Sequence, residues 1–179
     1  MNITKEANLA AKWILDKKVI AYPTEGVWGI GGLNTIGNIE TLDLVKERDN
    51  DKKYILLFCS FEQLTKYFDI ESKYYSLIKT NENTFTTMLI PTNQQKVAAR
   101  IPGDRNLLHF LKLINKPIIS TSANISGETT CRNINEVKGV FDGKLFGALD
   151  GPLGDEKKPS KILDPVSYTH LTLPTMELV

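Results

Sequence analysis

Pro117-Ile118-Ile119-Ser120-Thr121-Ser122-Ala123-Asn124-Ile125-Ser126-Gly127 opens on a short apolar run and passes straight into small polar residues. The run reads as a buried strand, bounded by a proline and then by a loop. From Ser120 to Gly127, eight positions carry four side-chain hydroxyls and one amide, where a turn needs only one or two such groups. A loop loaded with donors and acceptors at the carboxyl end of a buried strand is how α/β proteins present ligand sites.

The flanking sequence repeats the strand-then-helix alternation. Val19 to Tyr22, stopped by Pro23, Tyr54 to Phe58, and Phe85 to Ile90, closed by Pro91, read as further buried strands. Ala7, Ala11, Ile14 and Leu15 recur at helical spacing behind Thr4, which predicts a capped helix ending near Lys18. Ile39, Leu42 and Val45 mark a helix running into Lys46-Glu47-Arg48, and Tyr74 to Lys79 and Leu107 to Ile114, after Asn106, predict two more. Ser60 with Gln63, and Asn133 with Glu136, have capping-box spacing. Gly29, Gly31, Gly32 and Gly37 are expected to break up the stretch between the first strand and the second helix. The pattern predicts an α/β sheet flanked by helices, with spacing too irregular for an all-parallel order.

The chain has 179 residues, 41% hydrophobic and 24% charged, which fits one folded, soluble domain and excludes a disordered or collagen-like chain. Its 22 Lys plus Arg against 21 Asp plus Glu leave a net charge of +1, so no global field draws it to nucleic acid or an anionic membrane. Any phosphate must be held locally. Cys59 and Cys131 form no CxxC pair, predicting two free thiols in a reducing compartment and excluding a Cys/His metal quartet. Met1 to Glu6 lacks the apolar centre of a signal peptide and no apolar run is long enough to span a bilayer, which predicts a cytoplasmic protein without membrane contact.

Three more features bear on chemistry. Tyr22-Pro23-Thr24-Glu25-Gly26-Val27-Trp28-Gly29-Ile30-Gly31 places a hydroxyl, a carboxylate and glycines after a strand; it matches neither GxGxxG nor a P-loop and fits an ordinary capped turn as well as a binding loop. Lys46, Arg48, Lys52 and Lys53, interspersed with Asp43, Asp49 and Asp51, fit a solvated helix end or a cluster that neutralises a triphosphate. Arg100, in Val97-Ala98-Ala99-Arg100-Ile101-Pro102, has the apolar neighbours of a partly buried guanidinium, which needs a carboxylate or phosphate partner.

Pro23-Thr24-Glu25, Lys46-x-Arg48, Arg100-x-Pro102 and Ser120 to Gly127 occur in the order and spacing of a known family. From about Leu9 to Asp164 the chain resembles the YrdC/TsaC family, the threonylcarbamoyl-AMP synthases. The resemblance implies a twisted mixed sheet flanked by helices, with a concave, positively lined cavity. It implies a nucleotidyltransferase that joins L-threonine, bicarbonate or carbon dioxide, and ATP with magnesium into threonylcarbamoyl-adenylate and pyrophosphate. The product would pass to separate threonylcarbamoyl transferase machinery that modifies an adenosine in tRNA. By matching positions it implies that Thr24, Arg100, Ser122 and Ser160 bind threonine, that Lys46 and Arg48 are catalytic, and that Arg48, Lys52, Asn124 and Arg132 bind ATP. It marks no magnesium ligand. His109 and His170 are given no role, because a carbamate carries its own nucleophilic carboxylate.

The chain departs from that pattern at Asp49, where the family has proline, and at Glu82-Asn83-Thr84-Phe85-Thr86, which keeps only the last threonine of a Pro-Gly-Pro-x-Thr segment. Each departure adds a carboxylate near the expected nucleotide. Pro165 to Val179 differs in character from the rest and resembles translated sequencing-adapter read-through; near-alternation of Val166, Tyr168, Leu171 and Leu173 would otherwise make it an edge strand. The expectation is therefore a domain of residues 1–164 and a non-native tail, with a native end that carries a further arginine missing. Two other functions stay open on these residues. One is a paralogue that adenylates a different carbamate, against which the chain has no room for the extra domains and zinc motifs of the hydrogenase-maturation proteins. The other is a double-stranded RNA-binding module, against which the balanced charge predicts only weak RNA contact.

Overall fold

The computed structural model describes residues 1–47, 54–156, 159–166 and 170–171. In chain order these residues form β1 (Asn2–Thr4), α1 (Ala7–Leu15), β2 (Ile20–Pro23), β3 (Trp28–Leu33), α2 (Ile36–Lys46), β4 (Ile55–Leu57), α3 (Phe61–Tyr67), a 3-10 turn (Ser72–Tyr74), α4 (Tyr75–Asn81), β5 (Thr86–Pro91), β6 (Lys96–Arg100), α5 (Arg105–Ile114), β7 (Ile118–Ser122), α6 (Ile134–Phe141), β8 (Gly147–Leu149), β9 (Lys161–Leu163) and β10 (His170–Leu171). The strands make one sheet in the order β1-β8-β2-β3-β7-β4-β6-β5-β9-β10. Pairing is mixed: β2–β3, β3–β7, β4–β7, β5–β6 and β9–β10 are antiparallel, and β1–β8, β2–β8, β4–β6 and β5–β9 are parallel.

Helices cover both faces. Ala10, Ala11 and Ile14 of α1 and Leu107, Phe110, Leu111 and Ile114 of α5 pack over Ile20, Leu57, Ala98 and Ile118. On the opposite face α2, α3, α4 and α6 bury Leu42, Leu64, Ile78, Val137 and Phe141 against Ala21, Ile30, Leu56, Met88, Ala99 and Ile119. Because strand side chains alternate, Ser120 and Ser122 share the α1/α5 face with Ile118, Arg100 shares it with Ala98, and Tyr22 shares it with Ile20. That face is thus apolar under the helices and polar beyond them.

The caps at Ser60 and Asn133 form as their spacing predicts, each side chain accepting from the backbone three residues on. Two others move. Asp104 rather than Asn106 caps α5, accepting from Leu107 N at 2.8 Å, and Thr4 ends β1, with Glu6 at the cap position of α1. The expected break at Gly29 to Gly32 is instead β3, buried along its whole length. Its glycines answer to neighbours across the sheet. A Cβ on Gly31 would lie 2.1 Å from the Ile119 carbonyl oxygen and 2.6 Å from the Tyr22 hydroxyl. The Tyr22 ring crosses the bare strand and its hydroxyl donates to Ser120 Oγ at 2.8 Å, linking β2 to β7 over β3.

Gly31→Ala is therefore expected to cost about 3 kcal/mol, because the obstructing atom is backbone and cannot swing away. Gly139→Ala, in α6 with open space around the new methyl group, is expected to gain about 0.5–1 kcal/mol of helix propensity. Urea denaturation of the two variants measures both signs.

Candidate active site

Two walls meet on the polar part of the α1/α5 face. The first is the end of β7. Ala123 N donates to Trp28 O at 2.7 Å, Cys131 N to Ala123 O at 2.8 Å, and Trp28 N to Cys131 O at 3.3 Å, so the loop from Asn124 to Thr130 is closed at its base by backbone bonds. Lys46, the last residue of α2, reaches under it and is only 4% exposed. Its ammonium donates to Ser122 O at 2.7 Å and to Asn124 O and Oδ1 at 3.0 Å each. Ser122 Oγ also donates to Asn124 Oδ1, and Asn124 Nδ2 donates to Ile125 O and Glu128 O. Lys46 and Asn124 thus form a scaffold that fixes the backbone of the loop and aims Ser122.

The second wall is the loop after β2. Thr24, 5% exposed, uses its hydroxyl hydrogen on Val27 O at 2.7 Å and keeps its oxygen lone pairs as acceptors. Gly29, the register partner of Ser122, has its vacant Cβ position 3.0 Å from Thr24 Cγ2, so the two hydroxyl residues flank a glycine. The following residues rest on the segment before β9, through Gly154 N to Thr24 O and Glu156 N to Glu25 O, both 2.9 Å. Glu25 then meets Arg100: one guanidinium nitrogen lies 3.3 Å from Glu25 Oε2, with both side chains buried. The guanidinium also lies over the Phe85 ring, 5.1 Å from its centre. Burial pushes the Glu25 carboxyl above its ordinary range, with the Arg100 charge pulling the other way. Burial likewise raises the Tyr22 phenol, which stays protonated and remains a donor to Ser120. Ser160 Oγ lies 3.0 Å from Thr87 Oγ1 on β5.

Of the residues singled out from sequence, Thr24, Arg100 and Ser122 lie buried around this polar face, and Ser160 joins it through Thr87. Lys46 and Asn124 are together under the β7 loop. Arg132 stands apart at the start of α6, where its backbone N–H donates to Glu136 Oε2 at 2.8 Å, and it lines an open cavity of about 600 Å³ with Thr129, Thr130 and Gly139. Arg48, Asp49, Lys52 and Lys53 lie outside the described residues. Glu82 Oε1 sits 3.4 Å from Phe61 N at the start of α3, a position that the helix dipole favours for a carboxylate. Cys59 and Cys131 are both free thiols. The sequence reading passed over three features: Phe85 under the guanidinium, the Tyr22–Ser120 bond, and Glu25 as the carboxylate partner that a buried Arg100 demands.

This arrangement can be set beside known proteins. A family model described as "Telomere recombination" (Sua5/YciO/YrdC) matches residues 12–172. The chain belongs to the Sua5/YciO/YrdC family. A protein named threonylcarbamoyl-AMP synthase from Wigglesworthia glossinidia brevipalpis is 32% identical over 171 residues, covering 86% of each chain. Among solved structures of the family, P. abyssi Sua5 complexed with L-threonine superposes with a TM-score of 0.81 at 26% identity over 92% of this chain. It covers 54% of that protein, so this chain spans about half its length. E. coli YciO, at 18% identity and a TM-score of 0.75 over 91% of this chain, shares the fold. The mixed sheet with helices on both faces is therefore the family's architecture, as the sequence motifs predict.

Lys46→Met should cost about 2–3 kcal/mol, since it removes three charge-assisted bonds at once: Ser122 O keeps the Asn124 N–H and Asn124 Oδ1 keeps the Ser122 hydroxyl, but the Asn124 backbone carbonyl loses its donor. Tyr22→Phe, which leaves only the Ser120 hydroxyl free to turn elsewhere, should cost about 1 kcal/mol. Equilibrium unfolding of the two variants distinguishes the buried scaffold from a solvated lysine, whose removal would change nothing measurable.

Proposed function

We propose that this chain is a threonylcarbamoyl-AMP synthase, forming threonylcarbamoyl-adenylate and pyrophosphate from L-threonine, bicarbonate or carbon dioxide, and ATP for threonylcarbamoyl-adenosine modification of tRNA. The observation that carries the reading is Arg100: a buried guanidinium, incompletely bonded, on the same sheet face as the Ser122 hydroxyl and beside the Thr24 loop. A small amino acid with a carboxylate and a hydroxyl complements that set, and the name shared by the curated relatives supports it. Thr24, Arg100, Ser122 and Ser160 are its proposed threonine contacts. Lys46 is proposed to act by shaping the β7 loop, and Arg48, Lys52, Asn124 and Arg132 to meet the nucleotide.

The chemistry asks for no protein nucleophile. The carbamate oxygen attacks the α-phosphorus, a new O–P bond forms, and the bond to the bridging oxygen breaks with its electron pair leaving on pyrophosphate. The chain's part is to hold the two anions in line and neutralise them. No group of three His, Cys, Asp or Glu side chains gathers to hold a metal among the described residues, so magnesium is proposed to arrive on the triphosphate as part of the substrate. No helix among the described residues is long and apolar enough to cross a membrane. A cytoplasmic location, hand-over of the product to tRNA-modifying machinery, and no more than weak RNA contact complete the proposal.

Pyrophosphate release is expected to require L-threonine and bicarbonate together, and release at an equal rate without threonine would overturn the reading. Arg100→Ala should weaken L-threonine binding by about tenfold to a hundredfold, the worth of a charge-assisted bond, and leave ATP binding unchanged in calorimetry. Residues 1–164 are proposed to be the functional unit. Truncation after Val166 removes the two-residue pairing of β10 with β9 and should leave activity and melting temperature as they are; a large fall in either would make the tail an integral strand.

A further inference from the structure

Glu25 is an unusual partner for Arg100. The pair is held by a single contact of 3.3 Å, and Glu25 Oε1, Glu25 Oε2 and Arg100 Nε are all buried without a hydrogen-bond partner. A pair whose only task was to hold the fold would close into a bidentate fork, because each buried polar atom left unbonded costs about 1–3 kcal/mol. From the loop, the Glu25 backbone N–H acts on the carboxylate without closing a hydrogen bond on either oxygen. Thr24 N is used on Val27 O, and the bonds from the segment before β9 go to the Thr24 and Glu25 carbonyls rather than to the carboxylate. Asp104 and Glu156 add negative potential at Glu25, which makes the carboxylate side of the pair a poor place for an anion and a good one for a cation.

A ligand that satisfies both poles without burying net charge must carry a cation and an anion close together. An α-amino acid bears both on one carbon. We propose that Glu25 is a specificity-determining residue that accepts the α-ammonium group of the substrate amino acid while Arg100 takes its carboxylate. This rests on the reading of the site as a threonine site and adds to it the feature that selects for a free amine, the group that must become the carbamate nitrogen. The amine-free analogue keeps the carboxylate and hydroxyl but leaves the buried carboxylate of Glu25 unmatched, so the site discriminates against it.

The test compares L-threonine with (R)-3-hydroxybutyrate, which lacks only the amine, by calorimetry on the full chain and on Glu25→Gln, with ATP as control. The full chain is expected to bind L-threonine about tenfold or more tighter than hydroxybutyrate. In Glu25→Gln that preference should vanish: threonine weakens, hydroxybutyrate holds or tightens because Arg100 is no longer neutralised, and ATP is unchanged. Equal losses for both ligands would mean that Glu25 only supports the loop, and a preference retained in the variant would overturn the proposal outright. Should Glu25→Gln fail to fold, the native chain still decides, since equal affinity for the two ligands removes the amine-selective role. Threonine binding without amine preference sinks this inference alone, whereas no threonine binding by the native chain sinks the synthase reading with it.

Discussion

Tyr22 reaches Ser120 only because the strand between them has no side chain in the way. That absence fixes more than one hydrogen bond. With Gly31 bare, β2, β3 and β7 are tied on one face by a buried phenol as well as by their ladders. With Gly29 bare, Thr24 packs beside the register partner of Ser122. The polar part of the sheet is therefore built around a missing volume: a methyl group at Gly31 meets the Ile119 backbone carbonyl, and one at Gly29 presses on the Thr24 and Tyr22 side chains. Glycine in a strand interior weakens it in isolation; here that loss is offset by a cross-sheet bond that no other residue type permits.

What could be read from the sequence was local or chemically insistent. The caps at Ser60 and Asn133 involve side chain and backbone three residues apart, so spacing alone specifies them. The polar end of β7 showed in its excess of hydroxyls, and the buried Arg100 in its apolar neighbours. What stayed hidden was decided by distant chain. The glycines of β3 look like loop punctuation until Ile119 and Tyr22 are placed beside them, and β1 and β8, three residues each, are too short to show a period. Lys46 stands in a run of mixed charge that reads as a solvated helix end, yet it is buried, because its acceptors come from Ser122 and Asn124. The need for a carboxylate beside Arg100 was legible, while its identity as Glu25 required the fold.

The two walls differ in how completely they are bonded. Around Lys46 and Asn124, each side-chain nitrogen and the Asn124 carbonyl oxygen has a partner, which makes a rigid frame. Across from it, Glu25 and Arg100 keep hydrogen-bonding capacity in reserve. A saturated scaffold facing an unsaturated pair is what preorganisation requires: the frame holds position, and the free energy of ligand binding is drawn from groups that folding left unfulfilled.

The backbone bonds that join Ala123, Cys131 and Trp28 bear on how this protein tolerates change in length. They seal the loop from Asn124 to Thr130 at its neck, and the Asn124 amide staples it again at Glu128. Between that staple and Cys131 lies Thr129, exposed, inside the neck but beyond the staple. Extra residues grafted there would bulge into solvent without pulling on Ser122. Divergence in loop length, or an appended peptide, therefore has a point of entry within a few residues of the site that leaves Ser122 in place and reshapes only the wall that Thr129 lends to the Arg132 cavity.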